Sequence, residues 1–283
     1  MTLLEAFALK PAGEGRFTAS SIGDPDLHDV VFGGQILAQM ILATSAAGPG
    51  GGKGIASLHT VFARAASLRA PLEIDVETMH DGRSVGSSTI TVHQGDRLCA
   101  RGLALHQADG PDLIAHSIAP PAVGAPEDAP SGEGSPAAGL VAPGTEVRIA
   151  GGVDTWDPDA PTGPAELAVW VRLPGEGEDR TNPAGLGEAL LAYATDGFLI
   201  GTAMRPHAGL GQAMAHRSVD TGVITHTLTF HRAVPLGRWL LIAHDSTFAG
   251  RGRAYGRASV FDEAGTLLAS FVQESLIRQG RTA

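Results

Sequence analysis

The sequence predicts an α+β protein built from two tandem units, each joining one long helix to a run of antiparallel strands. Three observations carry that expectation. The order strand, long helix, strands occurs twice in the 283 residues. Short matching stretches recur about 160 to 170 residues apart, the mark of a duplicated unit. A chain that is 43% apolar and 18% charged has a globular composition and enough length for a sizeable core.

In the first unit, Arg16 to Ile22 reads as a short strand. From Gln35 to Ala43 the text is apolar and rich in helix formers, so a buried helix is expected, with Gly33 and Gly34 at its start. Gly48 to Gly54 then breaks the chain. Strands follow at Leu58 to Arg64, Leu72 to Glu77, Ser84 to His93 and Leu98 to His106. Leu72-Glu73-Ile74-Asp75-Val76-Glu77 alternates apolar and acidic at every step, the pattern of a half-buried strand. Asp81-Gly82 and Gly95-Asp96 supply the turns.

The second unit repeats this order. Strands are expected at Glu146 to Ile149 and Ala165 to Arg172, then one helix from Ala184 to Met204 with Pro183 near its first turn. Four strands follow, at Val223 to Arg232, Trp239 to Asp245, Arg253 to Phe261 and Leu267 to Ile277. Phe62-Ala63-Arg64-Ala65 matches Phe230-His231-Arg232-Ala233, and Gly95 to Ala100 resembles Gly265 to Ser270. Between the units, 108–140 is rich in Pro, Gly, Ala and Ser and is expected to be an exposed linker. The expected boundaries are 1–107 for the first unit and 141–283 for the second.

Charge and cysteine content narrow the function classes. Thirty Asp and Glu against twenty Lys and Arg give a net charge of −10, a poor match for nucleic acid or an anionic membrane surface. The single cysteine, Cys99, excludes an intramolecular disulfide and a cysteine-based zinc site, and suits a reducing compartment. Eleven histidines show no metal-ligand spacing, so no metal is expected. Met1 to Glu5 has no basic start and no apolar run, so a signal peptide is not expected there. No run of eighteen apolar residues occurs, and a cytoplasmic location follows as an expectation.

A long helix wrapped by an antiparallel sheet is the hot-dog arrangement, and two in one chain make a double hot-dog. Val31-Phe32-Gly33-Gly34-Gln35, Asp75-Val76-Glu77-Thr78 and Asp81-Gly82-Arg83-Ser84 occur in the first half. Tyr193-Ala194-Thr195-Asp196, Pro206-His207, Phe230-His231-Arg232 and Val272-Gln273-Glu274 follow in the second. In this order they resemble the type II acyl-CoA thioesterases. The resemblance implies a cofactor-free hydrolase acting on an acyl-CoA, or on an acyl carrier protein thioester, and able to form a homo-oligomer.

The resemblance also implies a water held by an Asp, a Gln and a hydroxyl, which places the catalytic roles on Asp196 and Gln273. The position matching the family's threonine is Val223, which has no hydroxyl, so Thr225, the nearest threonine expected on the same strand face, takes that role. Gly33, Gly34, Gln35, Thr227 and Arg253 are the expected substrate-binding residues, the glycines by letting a backbone N–H approach the oxyanion. Superposing the repeats sets Gln35 opposite Asp196, so one working site across the two halves is expected.

The residues themselves support the chemistry. Asp196 interrupts an apolar stretch from Leu190 to Ile200, where a carboxylate is costly unless partnered or functional. Gln273 sits in an apolar strand and can orient a water without titrating. His59, His226 and His231 read as structural strand histidines. Arg251, Arg253 and Arg257 cluster late in the chain and suit the phosphates of CoA.

Gly82-Arg83-Ser84-Val85-Gly86 fits a nucleophile-elbow pattern, but strand text follows it where a helix is needed, so Ser84 reads as a strand start. Two further readings compete with hydrolysis: dehydratase or hydratase chemistry on an acyl thioester, and non-catalytic acyl-CoA binding, for which Val223 is the best support.

Overall fold

Period-2 alternation builds the antiparallel strands of two units, and a helix fills the face that the strands of each unit bury. The computed structural model describes residues 7–26, 28–175 and 183–280. Met1 to Glu5, where no signal peptide is expected, lies outside the described residues. One unit comprises Met1–His116, Glu176–Tyr193 and Thr227–Val234, and the other comprises Ser117–Gly175, Ala194–His226 and Pro235–Ala283.

The first unit is built on α1 (Gly33–Ala47), buried without interruption from Gly34 to Thr44. A helix that is apolar nearly all round can only sit inside. Around it run β1 (Lys10–Gly13), β2 (Arg16–Ala19), β3 (Gly54–Phe62), β4 (Leu72–Asp81), β5 (Val85–Gln94) and β6 (Arg97–Gln107). Their spatial order is β1-β2-β4-β5-β6-β3. In β4, Leu72 and Ile74 are buried while Glu73 and Asp75 are half-buried, as the alternation predicts. The strand β1 has no counterpart in the sequence reading. Pro11 and Gly13 argue against a strand, and such text is tolerated here because β1 is an edge with a bulge.

The second unit carries β7 (Glu146–Ile149), β8 (Glu166–Arg172), β9 (Val219–Phe230), β10 (Trp239–Gly250), β11 (Arg253–Asp262) and β12 (Leu267–Gln279). Their order is β9-β12-β11-β10-β8-β7, and the last residues of β9, from Thr227, fall in the first unit. Cross-strand register puts Trp170, Leu241 and Phe261 on one face of the sheet. Together with Trp239 and Ala129 they form a buried cluster, with Val123 packed against it.

Two expectations change here. Residues 108–140 are not an exposed linker throughout. Pro126 and Ala129 are buried, Trp170 Nε1 donates to the Gly124 carbonyl at 3.1 Å, and Arg148 donates to the Pro126 and Ala129 carbonyls at 3.2 Å each. The apolar sheet face explains this, because part of it is covered by the chain's own Pro- and Ala-rich segment. The helix expected from Ala184 to Met204 is two helices, α2 (Leu186–Thr195) and α3 (Leu199–Met204). Between them lie Asp196, Gly197 and Phe198.

Candidate active site

The break between α2 and α3 positions Asp196. A Cβ at Gly197 would stand 2.7 Å from the Leu140 carbonyl oxygen, so only glycine fits the turn. The Gly197 carbonyl accepts a hydrogen bond from Gln212 Nε2 at 3.2 Å, and Gln212 Oε1 accepts one from Thr155 at 2.9 Å. The helix restarts with Thr202 N–H donating to the Phe198 carbonyl at 2.9 Å. Asp196 is thereby held with 6% of its surface exposed.

Gln273 lies on the buried face of β12, where Phe271 and Ser275 also point inward. Its Nε2 donates to Ser275 Oγ at 2.9 Å. Its Oε1 lies 3.2 Å from Nδ1 of His226, and His226 Nε2 lies 2.9 Å from Thr195 Oγ1. Thr195 immediately precedes Asp196, so a continuous polar chain links the helix break to the glutamine. Thr195, His226, Gln273 and Ser275 are all buried.

Burial pushes the His226 pKa down to about 4, against a smaller opposing effect of the Gln273 hydrogen bond. The ring is therefore neutral near pH 7. Gln273 Oε1 only accepts, so His226 Nδ1 carries the proton, and Nε2 accepts from the Thr195 hydroxyl. The donors then run in one direction, from Thr195 through His226 and Gln273 to Ser275. Among the described residues, no group of three His, Cys, Asp or Glu side chains is placed to hold a metal ion.

Asp196, Gln273, Thr225 and Arg253 fall in the second unit, while Gly33, Gly34, Gln35 and Thr227 fall in the first. The hydroxyl expected at Thr225 is not beside Gln273. Along the end of β9, His226, Leu228 and Phe230 are buried while Thr225, Thr227 and Thr229 are half-buried. Thr225 therefore shares the opposite face. Thr227 Oγ1 on that face lies 3.3 Å from Nδ1 of the exposed His59. The hydroxyls that do reach the network, Thr195 and Ser275, escaped the sequence reading. The available signal was Gln273 and Ser275 at alternate positions of an apolar strand.

Gln35 is fully buried, donates to the Ser20 carbonyl at 3.0 Å and accepts from the Ile22 N–H at 3.0 Å. It ties the exit of β2 to α1. A Cβ at Gly34 would stand 2.4 Å from the Tyr193 carbonyl oxygen, so this glycine allows α1 and α2 to approach closely. Arg253 forms an ion pair with Glu274 at 3.5 Å, and Arg257 one with Asp245 at 3.4 Å. Ser84 is exposed and immediately precedes β5, so it sits on no strand-to-helix elbow.

Comparison with known proteins gives concordant results. Family models described as the acyl-CoA thioesterase N-terminal and C-terminal domains match residues 23–107 and 120–277. Acyl-CoA thioesterase 2 of Haemophilus influenzae is 30% identical over 258 residues, covering 88% of this chain and 87% of its own. The crystal structure of acyl-CoA thioesterase II TesB2 from Mycobacterium marinum is similar with a TM-score of 0.78 and 25% identity, covering 99% of both chains. A protein of Alicyclobacillus acidocaldarius described as having a hot dog fold is 19% identical with a TM-score of 0.73, covering 98% of both chains.

Proposed function

The chain belongs to the acyl-CoA thioesterase family and has the hot-dog fold, and from that premise we propose that Asp196 and Gln273 hold the water with which it hydrolyses acyl-CoA. The products are the free acid and CoA. Each unit pairs helix with antiparallel sheet, which supports a tandem double hot-dog.

The observation that carries the site is the buried carboxylate at a helix break, joined through its neighbour Thr195 to the Gln273 amide. The Asp196 carboxylate takes a proton from the water as its oxygen bonds to the thioester carbonyl carbon. The tetrahedral intermediate then collapses, the C–S bond breaks, and the CoA sulfur leaves and is protonated. General-base assistance of this kind is worth about 10²- to 10⁴-fold. Gln273 orients the water and does not titrate.

The test is free-thiol release from a panel of acyl-CoA substrates of differing chain length, run on the wild type and on Asp196→Asn. The expected result is turnover on at least one chain length, with the variant much slower on the same substrate. Binding of every acyl-CoA without turnover would replace the proposal with a binding role. Loss of water from a 3-hydroxyacyl thioester without thiol release would replace it with hydro-lyase chemistry.

A further inference from the structure

We propose that His226 is a positioning residue, which sets the orientation of the Gln273 amide through a one-directional chain of hydrogen bonds beginning at Thr195. The proposal rests on the reading of Gln273 as a water-holding residue and goes beyond it by naming what holds Gln273.

An amide can turn over by half a rotation and exchange its donor and acceptor ends at little steric cost. A water-orienting glutamine therefore needs something to choose the end it presents. Here the choice is made by His226, since the Ser275 hydroxyl can both donate and accept. His226 Nδ1–H donates to Oε1 at 3.2 Å and Ser275 Oγ receives the opposite end at 2.9 Å. Turned over, the amide nitrogen would face the Nδ1 proton, donor against donor. That arrangement is prevented only while Nδ1 carries the proton.

Thr195 completes the chain on the far side of the ring: its hydroxyl lies 2.9 Å from Nε2, and with the ring proton on Nδ1 it is the donor there. The imidazole is also fixed as a body. His226 is fully buried, and its ring packs 5.3 Å from the Phe271 ring, two residues before Gln273 on the same strand face. One lone pair of Oε1 is taken by His226, which leaves the other to accept a proton of the water while Asp196 accepts the second. Both water protons are then directed away from the lone pair that attacks.

His226 needs no contact with substrate, so its removal acts on turnover and not on binding. The experiment compares kcat and KM of four variants in the full chain: His226→Leu, His226→Asn, Gln273→Leu and the double variant His226→Leu/Gln273→Leu. Asparagine offers an amide N–H near the place of Nδ1, so it restores the donor that leucine lacks.

His226→Leu is expected to lower kcat about 10- to 100-fold, the scale of losing precise placement, with KM within about threefold. His226→Asn is expected to recover most of that loss. In the Gln273→Leu background, adding His226→Leu should change kcat by less than about twofold, because the residue acts through the amide already removed. An equal fall in both backgrounds would mean a purely structural role and overturn the proposal, as would full activity of His226→Leu alone.

Should His226→Leu fail to fold, Thr195→Val carries the test. It removes the donor to Nε2, and is expected to lower kcat several-fold with KM unchanged. Wild-type kcat for it would overturn the proposal. Wild-type activity of Gln273→Leu and Asp196→Asn would instead overturn the water site itself, so the two failures are separable.

Discussion

Acid should weaken the fold by a definite amount through two buried imidazoles. His226 and His244 are 0% and 3% exposed, and burial pushes each pKa from 6.5 down to about 4. In the unfolded chain both rings protonate near 6.5. The folded state therefore binds fewer protons than the unfolded one between those values. Their contribution is fully present above about 6.5 and is lost as the pH falls towards about 4. A drop from 6.5 to about 4 corresponds to about 3 kcal/mol per ring, of which about 2 kcal/mol is lost between about pH 7 and about pH 5.

Other groups add to the total. Burial also lowers His106 and His231. His93 is pulled down by burial, yet raised on balance by the Gly95 carbonyl and Asp75, so it works with the opposite sign. A single variant isolates one term. His244 Nδ1 donates to the Leu167 carbonyl at 3.1 Å, and its ring lies 5.7 Å from Phe198 and 5.9 Å from Phe271. His244→Leu fills that apolar site with a side chain that cannot titrate. Urea unfolding at the two pH values should give a stability difference smaller by about 2 kcal/mol in the variant than in the wild type. Equal pH dependence in the two proteins would refute the reasoning.

Other substitutions test the local geometry. Gly197→Ala should destabilise by about 1 to 3 kcal/mol, because its Cβ meets the Leu140 carbonyl, and should lower kcat more than it raises KM, as thermal melts and steady-state kinetics will read. Gln35→Leu should cost about 1 to 3 kcal/mol in unfolding experiments by stripping two hydrogen bonds from the chain at Ser20 and Ile22. Ser84→Ala should keep kcat within about twofold, since an exposed serine ahead of a strand is no nucleophile; abolished thiol release would reinstate the elbow.

The strands were the most legible part of the fold. Alternation such as Leu72-Glu73-Ile74-Asp75 placed β4, and Glu146 to Ile149 is the strand observed. The ends shifted by a few residues because pairing, which the sequence does not display, extends a strand beyond its apolar core. The break at Asp196 was hidden by continuous apolar text on both sides, and Gly197 there packs against the Leu140 carbonyl, more than fifty residues earlier in the chain. The burial of Ala129 was hidden because Pro- and Ala-rich text has no periodicity to read. Asp196 and Gln273 stood out as polar groups in apolar surroundings. The partners of Gln273 did not, since His226 lies 47 positions away and meets it only once β9 and β12 lie side by side.

The account turns on whether the carboxylate at the helix break activates the water. The most direct measurement is kcat of Asp196→Asn on the best acyl-CoA, in protein whose melting temperature matches the wild type. The amide keeps the size of the side chain and loses its capacity to take a proton. A fall of about 10²- to 10⁴-fold with little change in KM is predicted. Turnover equal to the wild type would contradict the account and place the base elsewhere.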